Sequence, residues 1–339
     1  MLHSKFPVPA LAMEDAMTTR NPLAGWDEAV SAYLTNRRAL GRGYRREETI
    51  LNDVRAVLVR EDRVDLDRVL FDRWRESFSG LSPNSRIVYE RAVYNFCLYR
   101  RRSEPDCFLP DPDSFARRGP SPLPTPIEPE QIEQLLTHLA GVRPMRHDRL
   151  RPLVLRMAII LLYTTGLRRG ELTRLTLADV DADRGVLFIR DSKFHKSRWV
   201  PVSAGVRTEL RAYLAQRRQM GIDNRDSAPL LYTWQGRAYT GDGLYTSLRN
   251  VLTAAGIRGS DGRRPRVQDF RHSFAVAALR RWYENDADVQ VNLPKLALYM
   301  GHVSIVSTAY YLRWMPAVIA HASHRFERAY AGVLQGGES

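Results

Sequence analysis

Four separated groups of residues have types that fit a single reaction. They are Thr165-Gly166-Leu167-Arg168-Arg169-Gly170-Glu171-Leu172; Lys193; Gln268-Asp269-Phe270-Arg271-His272; and Gly301-His302 followed by Tyr310-Tyr311. Together they offer a tyrosine hydroxyl as nucleophile, two guanidiniums and an ammonium, which is what phosphoryl transfer through a covalent enzyme intermediate requires. Arg168 follows Gly166 at a predicted helix end, where a tight turn aims its fork into a cleft. Arg271 lies three residues after Gln268 on a predicted helix, so the two side chains share a face. Two planar, permanently charged forks suit the non-bridging oxygens of a phosphate and the charge of a pentacoordinate transition state.

Lys193 stands out because lysine is rare here: Lys5, Lys193, Lys196 and Lys295 are the four in the chain, and the remaining basic residues are arginine. A guanidinium holds its proton too tightly to give it to a leaving alkoxide, whereas an ammonium can be tuned to do so. Lys196 is the rival in the same loop, and Tyr310 is the alternative nucleophile.

The elements that must position these groups follow from periodicity and punctuation. The spacing predicts helices over Trp26 to Leu40, Arg45 to Val59, Leu66 to Phe78 and Pro83 to Arg102, the last opened by the cap and first-position proline of Ser82-Pro83. The basic run Arg100-Arg101-Arg102 at its end reads as solvated surface or as a phosphate contact. Eight prolines between Pro105 and Pro129 rule out a continuous helix and mark a linker. Helices are expected again over Glu128 to Leu139 and Asp148 to Thr165, the latter ended by Gly166 and buried through Leu150, Leu153, Val154, Met157, Ile160 and Leu161. Strands are expected at Val186 to Ile189 and Trp199 to Val202, joined by a hairpin carrying Lys193. The fold class is therefore mainly α with a small antiparallel β-sheet.

Composition agrees with an anionic partner. The 339 residues carry a formal charge of +13, and 44% hydrophobic content suits a globular core. Cys97 and Cys107 form neither a disulfide framework nor a zinc spacing, so a reducing cytoplasm is expected. No apolar run is long enough to span a bilayer, and the first residues lack the pattern of a signal peptide. There is no phosphate-binding Gly-x-x-x-x-Gly-Lys loop and no acidic metal cluster, so neither cofactor nor metal is expected.

These motifs, in this order, resemble the tyrosine recombinases, the phage integrase family. That signature runs Thr-Gly-Leu-Arg-x-x-Glu-Leu, a hairpin Lys, His-x-x-Arg-His, and Gly-His followed nine residues later by the nucleophilic Tyr. The resemblance implies a site-specific recombinase or integrase, carried by a mobile element, that cuts and rejoins double-stranded DNA through a 3′-phosphotyrosyl intermediate. It implies that Arg168 and Arg271 hold the scissile phosphate, Tyr311 attacks it, Lys193 protonates the departing 5′ oxygen, His302 orients the phosphate or moves protons, and Glu171 braces the site from behind. The nine-residue spacing selects Tyr311 over Tyr310. Gln268 departs from the family's histidine; it can hydrogen-bond a phosphate but cannot shuttle a proton. His272 points about 100° away from Arg271 on a helix and is assigned to structure.

The implied organisation is a flexible arm over 1–23, a helical core-binding domain over 24–104, a proline-rich linker over 105–126 and the catalytic domain over 127–334. The partners implied are DNA and either a tetramer of this chain on paired sites or partner recombinases, with Ala317 to Leu334 as a docking helix or as part of its own domain. Two alternatives remain: type IB topoisomerase-like strand relaxation, and a non-catalytic DNA-binding accessory protein, which Gln268 favours.

Overall fold

A computed structural model describes residues 21–41, 43–120, 123–143, 148–190, 197–301 and 308. Residues 1–20 of the arm, Lys193, Lys196, His302, Tyr310, Tyr311 and the segment 317–334 lie outside the described residues, while Leu23, expected in the flexible arm, is buried in the core of the first unit. The chain divides into two compact units, Met1–Ser121 and Pro122–Ser339.

In the first unit α1 (Ala24–Ala39), α2 (Arg45–Arg60), α3 (Arg68–Glu76) and α4 (Pro83–Arg100) surround an aromatic core. Helix starts are fixed locally: the Asp67 carboxylate accepts from Leu70 N at 2.8 Å, and the Ser82 hydroxyl from Ser85 N at 3.3 Å ahead of Pro83. Trp26, Tyr33, Trp74 and Phe96 are buried, with Trp26 and Phe96 edge to face at 5.1 Å between centroids.

Arg100 is neither solvated surface nor an open phosphate contact. It is buried, donates to both Asp65 oxygens at 2.7 and 2.9 Å and to Glu104, and lies over the rings of Trp26 and Phe96. Glu90, fully buried, accepts from Arg75 Nε and from the backbone N of Ala116, both at 2.9 Å, and so ties the proline-rich stretch to the helices. Phe115 joins the same core.

The second unit contains α5 (Pro129–Gly141), α6 (Arg151–Thr165), α7 (Arg169–Leu172), β1 (Val180–Asp181), β2 (Val186–Ile189), β3 (Arg198–Pro201), α8 (Ala204–Gln219), α9 (Gly241–Ala254), α10 (Asp269–Glu284) and α11 (Val289–Met300). Helix α6 packs on α5, α8, α9 and α10, so it is buried on nearly all sides, through Leu155, Ala158, Ile159 and Leu162 as well as the expected stripe. A helix apolar all round is a central helix, and one stripe understates it.

The antiparallel sheet has the order β1-β2-β3, with Leu187 opposite Val200, Phe188 opposite Trp199 and Ile189 opposite Arg198. Alternation turns Leu187, Ile189 and Val200 into the core, while the tilted rings of Phe188 and Trp199 pack on the outer face with centroids 4.4 Å apart. The same alternation turns Arg198 inward with Val200. Strand β1 was not expected; its two residues are too short a run to show a period of two.

Candidate active site

The turn that carries Arg168 is set by Gly166. This residue ends α6 in the left-handed region at φ 60°, with its N–H on the Leu162 carbonyl. A Cβ there would also lie 2.5 Å from Cδ1 of Phe274 on α10, so glycine is required twice over. Leu167 is buried beneath the turn, and Arg168 caps α7 from an extended backbone.

Glu171, 3% exposed, is the acceptor around which this corner is built. Its Oε2 accepts from Arg168 N at 3.0 Å and from Arg198 Nη2 at 2.9 Å; its Oε1 accepts from Arg168 Nη1 at 2.8 Å and from Arg198 Nη1 at 3.1 Å. Burial pushes the Glu171 carboxyl up, but the hydrogen bonds and charge of Arg198, joined by those of Arg168, outweigh it and hold the group down at about 2. The carboxylate is ionised throughout the neutral range.

Helix α11 supplies the second anchor. Its last carbonyls have no partner within the helix and carry the negative end of the dipole. Three consecutive carbonyls are taken by three arginines from three different elements. Tyr299 O accepts from Arg198 Nε at 2.8 Å, Met300 O from Arg271 Nη2 at 2.7 Å, and Gly301 O from Arg168 Nη2 at 2.8 Å. Gly301 ends the helix at φ 68°, and a Cβ on it would lie 2.8 Å from Arg198 Nη1.

Arg271, 2% exposed, also donates from Nη1 to the Gly166 carbonyl, so one guanidinium joins the α6 turn to the α11 end. It sits in the first turn of α10, whose start is fixed by fully buried Asp269. That carboxylate accepts from Arg266 N at 2.7 Å and from Arg266 Nη2 at 3.1 Å. Gln268, one residue before α10, is exposed, and its carbonyl accepts from the N–H groups of Arg271 and His272. His272 is partly buried with Nε2 3.9 Å from Asp269 Oδ1. Burial lowers its pKa; Asp269 opposes that, and Arg266 and Arg271 reinforce it, which keeps the imidazole neutral at pH 7.

Arg168, Glu171 and Arg271 thus come together at the residue that precedes His302, and Gln268 opens the helix of Arg271. Lys193, His302 and Tyr311 lie outside the described residues; the strand ends Ile189 and Arg198 bracket the first, and Gly301 and buried Thr308 bracket the second. Sequence reasoning missed Arg198. Its signal was the inward parity with Val200, the other inward residue of the strand. Among the described residues no group of three or more His, Cys, Asp or Glu could hold a metal, and no helix is long and apolar enough to cross a membrane.

Comparison with known proteins places this arrangement. Residues 126–316 match the Phage integrase family. The integrase/recombinase-like protein y4rB of Sinorhizobium fredii is 36% identical over 311 residues, which cover 89% of this chain and 97% of that protein. Tyrosine recombinase XerD of Caulobacter vibrioides is 28% identical over 280 residues, covering 80% and 85%. Among solved structures, the Tn1549 transposon integrase in complex with circular intermediate DNA superposes with a TM-score of 0.61 at 17% identity, covering 89% of this chain and 99% of that one. A lambda integrase dimer bound to a core site gives 0.55 at 13% identity, covering 84% and 76%. These likenesses extend the agreement to the fold, mainly helical with one small antiparallel sheet. With its Arg168, Glu171, Arg271 and Gly301 motifs gathered at one place, the chain belongs to the phage integrase family, the tyrosine recombinases.

Proposed function

We propose that this protein cuts and rejoins DNA strands at specific sites through a 3′-phosphotyrosyl intermediate, without cofactor or metal, and that a mobile element carries it. The observation that supports this most is the convergence of Arg168 and Arg271 on the α11 end directly before His302. Each terminal nitrogen of Arg168 bears two hydrogens, so its bonds to Glu171 and Gly301 aim the fork and still leave donors for a phosphate. Arg168 and Arg271 hold the non-bridging oxygens and stabilise the charge of the transition state.

The Tyr311 oxygen gives its proton to His302 or to water and bonds to phosphorus as the bond from phosphorus to the 5′ oxygen breaks. Lys193 gives its proton to that oxygen, and the strand leaves with a free 5′ hydroxyl. Attack by an incoming 5′ hydroxyl reverses these steps, so no bond energy is lost. His302 orients the phosphate or moves protons, Gln268 donates a hydrogen bond to it, and Glu171 keeps Arg168 in place.

Double-stranded DNA is the partner, supported by the charge of +13 and by the DNA held in the Tn1549 and lambda integrase structures. The helical first unit is the core-binding domain, the protein works as a tetramer on paired sites or with partner recombinases, and the cytoplasm is its compartment. Replacing Tyr311 by Phe tests the chemistry: DNA binding is retained and covalent linkage disappears. Unchanged strand exchange in that variant would rule the assignment out.

A further inference from the structure

Arg198 belongs to none of the motifs that identify the family here, yet it is bound as tightly as Arg168 and Arg271. Its side chain is 11% exposed, it grips both oxygens of Glu171, and its Nε donates to the Tyr299 carbonyl. All three of its guanidinium nitrogens already donate to protein acceptors, two of them to a carboxylate that balances its charge, so Arg198 is assigned no DNA phosphate. Its position on β3 gives it another use. Ile189 and Arg198 are the last paired residues of β2 and β3, so the segment between them, which carries Lys193, leaves the sheet at Ile189 and re-enters it at Arg198.

Glu171 and Tyr299 in turn belong to the two segments that hold Arg168 and lead into His302. We propose that Arg198 is a positioning residue for DNA cleavage: through Glu171 and the Tyr299 carbonyl it fixes the base of the Lys193 hairpin to the Arg168 and Gly301 cluster. The inference rests on the proposed function, because it presumes that Lys193 is the proton donor. The fork geometry matters, since a bidentate carboxylate pair with a third bond from Nε is available to arginine and not to lysine.

The test is single-turnover formation of the covalent adduct by the full chain on a nicked suicide DNA substrate. It is run with the natural 5′ oxygen and with sulfur at that bridging position, because a thiolate leaves without needing a proton. DNA affinity is measured alongside. Arg198→Ala should slow adduct formation by about 10²-fold on the oxygen substrate, the lower end of what a general acid supplies. DNA affinity should change by less than about threefold, since no phosphate contact is lost. On the sulfur substrate the loss should shrink to under about tenfold, because the misplaced proton donor is no longer needed.

Adduct formation within about threefold of the unaltered chain on the oxygen substrate would overturn the proposal, as would equal losses on both substrates or a loss that tracks DNA affinity. Should Arg198→Ala fail to fold, Arg198→Lys, which keeps one ion pair to Glu171 and no fork, should lose about tenfold on the oxygen substrate and under about threefold on the sulfur one, and equal losses on both would overturn the proposal. If the unaltered chain forms no adduct on either substrate, the proposed function falls, and this inference with it.

Discussion

The Arg168 guanidinium lies 2.8 Å from the carbonyl of Gly301, the residue immediately before His302. Two motifs that are 133 positions apart therefore share a hydrogen bond, and the direction in which α11 ends determines where Arg168 points. Arg271 makes the equivalent bond to Met300, one carbonyl earlier. The end of one helix thus holds both phosphate-binding candidates in register.

The two arginines differ in burial, so their removal should have different costs. Arg168 is partly exposed, and Arg168→Ala should lower stability by about 1 kcal/mol. Arg271 is 2% exposed, and Arg271→Ala strands the Gly166 and Met300 carbonyls, at a cost of about 3 kcal/mol. Both should reduce covalent DNA cleavage by about 10³-fold, the scale of a lost transition-state donor. Thermal denaturation together with adduct yield separates the two effects.

Gly301→Ala tests the helix end directly. The left-handed conformation at φ 68° costs a non-glycine residue about 1 kcal/mol, and the added methyl would push into Arg198 Nη1. Because that guanidinium is held by Glu171 and Tyr299, it cannot simply swing away. A lower melting midpoint should accompany at least about a tenfold slower cleavage, of the order that small misplacements of reacting groups produce.

Glu171 gives the pH dependence. Its carboxyl lies at about 2 when folded, against an ordinary value of 4.5, so the unfolded chain takes up its proton first as pH falls. The stabilisation, about 3 kcal/mol, is fully present above pH 4.5 and is lost as pH falls toward 2. The stability gap between the native chain and Glu171→Gln should be constant from pH 8 to about 5 and close below that. Denaturant titrations at several pH values measure it.

Gln268 is exposed at the start of α10, where the family signature has histidine. Gln268→His should fold normally and add a titration near about pH 6.5 to the cleavage rate, the ordinary range of an imidazole. Gln268→Ala should slow cleavage by about tenfold through one lost hydrogen bond, with no new titration. Rate profiles against pH for the three proteins decide it.

Much of this was legible in the sequence for local reasons. Ser82-Pro83 announced α4, Gly166 announced the end of α6, and the apolar run Val186 to Ile189 announced β2. Burial was less legible: α6 showed a stripe and proved to be surrounded, and Arg100 sat in a basic run yet is paired inside its own unit. The arginine cluster was not legible as a cluster. Its acceptors are main-chain carbonyls of Tyr299, Met300 and Gly301, which carry no side-chain signature, and its third member, Arg198, differs from its neighbours only by the parity of a strand.

The most direct test is to trap the full chain on a suicide DNA substrate nicked near the cleavage site and to map the peptide that carries the DNA. Covalent attachment of a 3′ phosphate to Tyr311, absent in Tyr311→Phe, is the expected result. Attachment at Tyr310, or a bound cognate site that yields no adduct, would contradict the proposed chemistry.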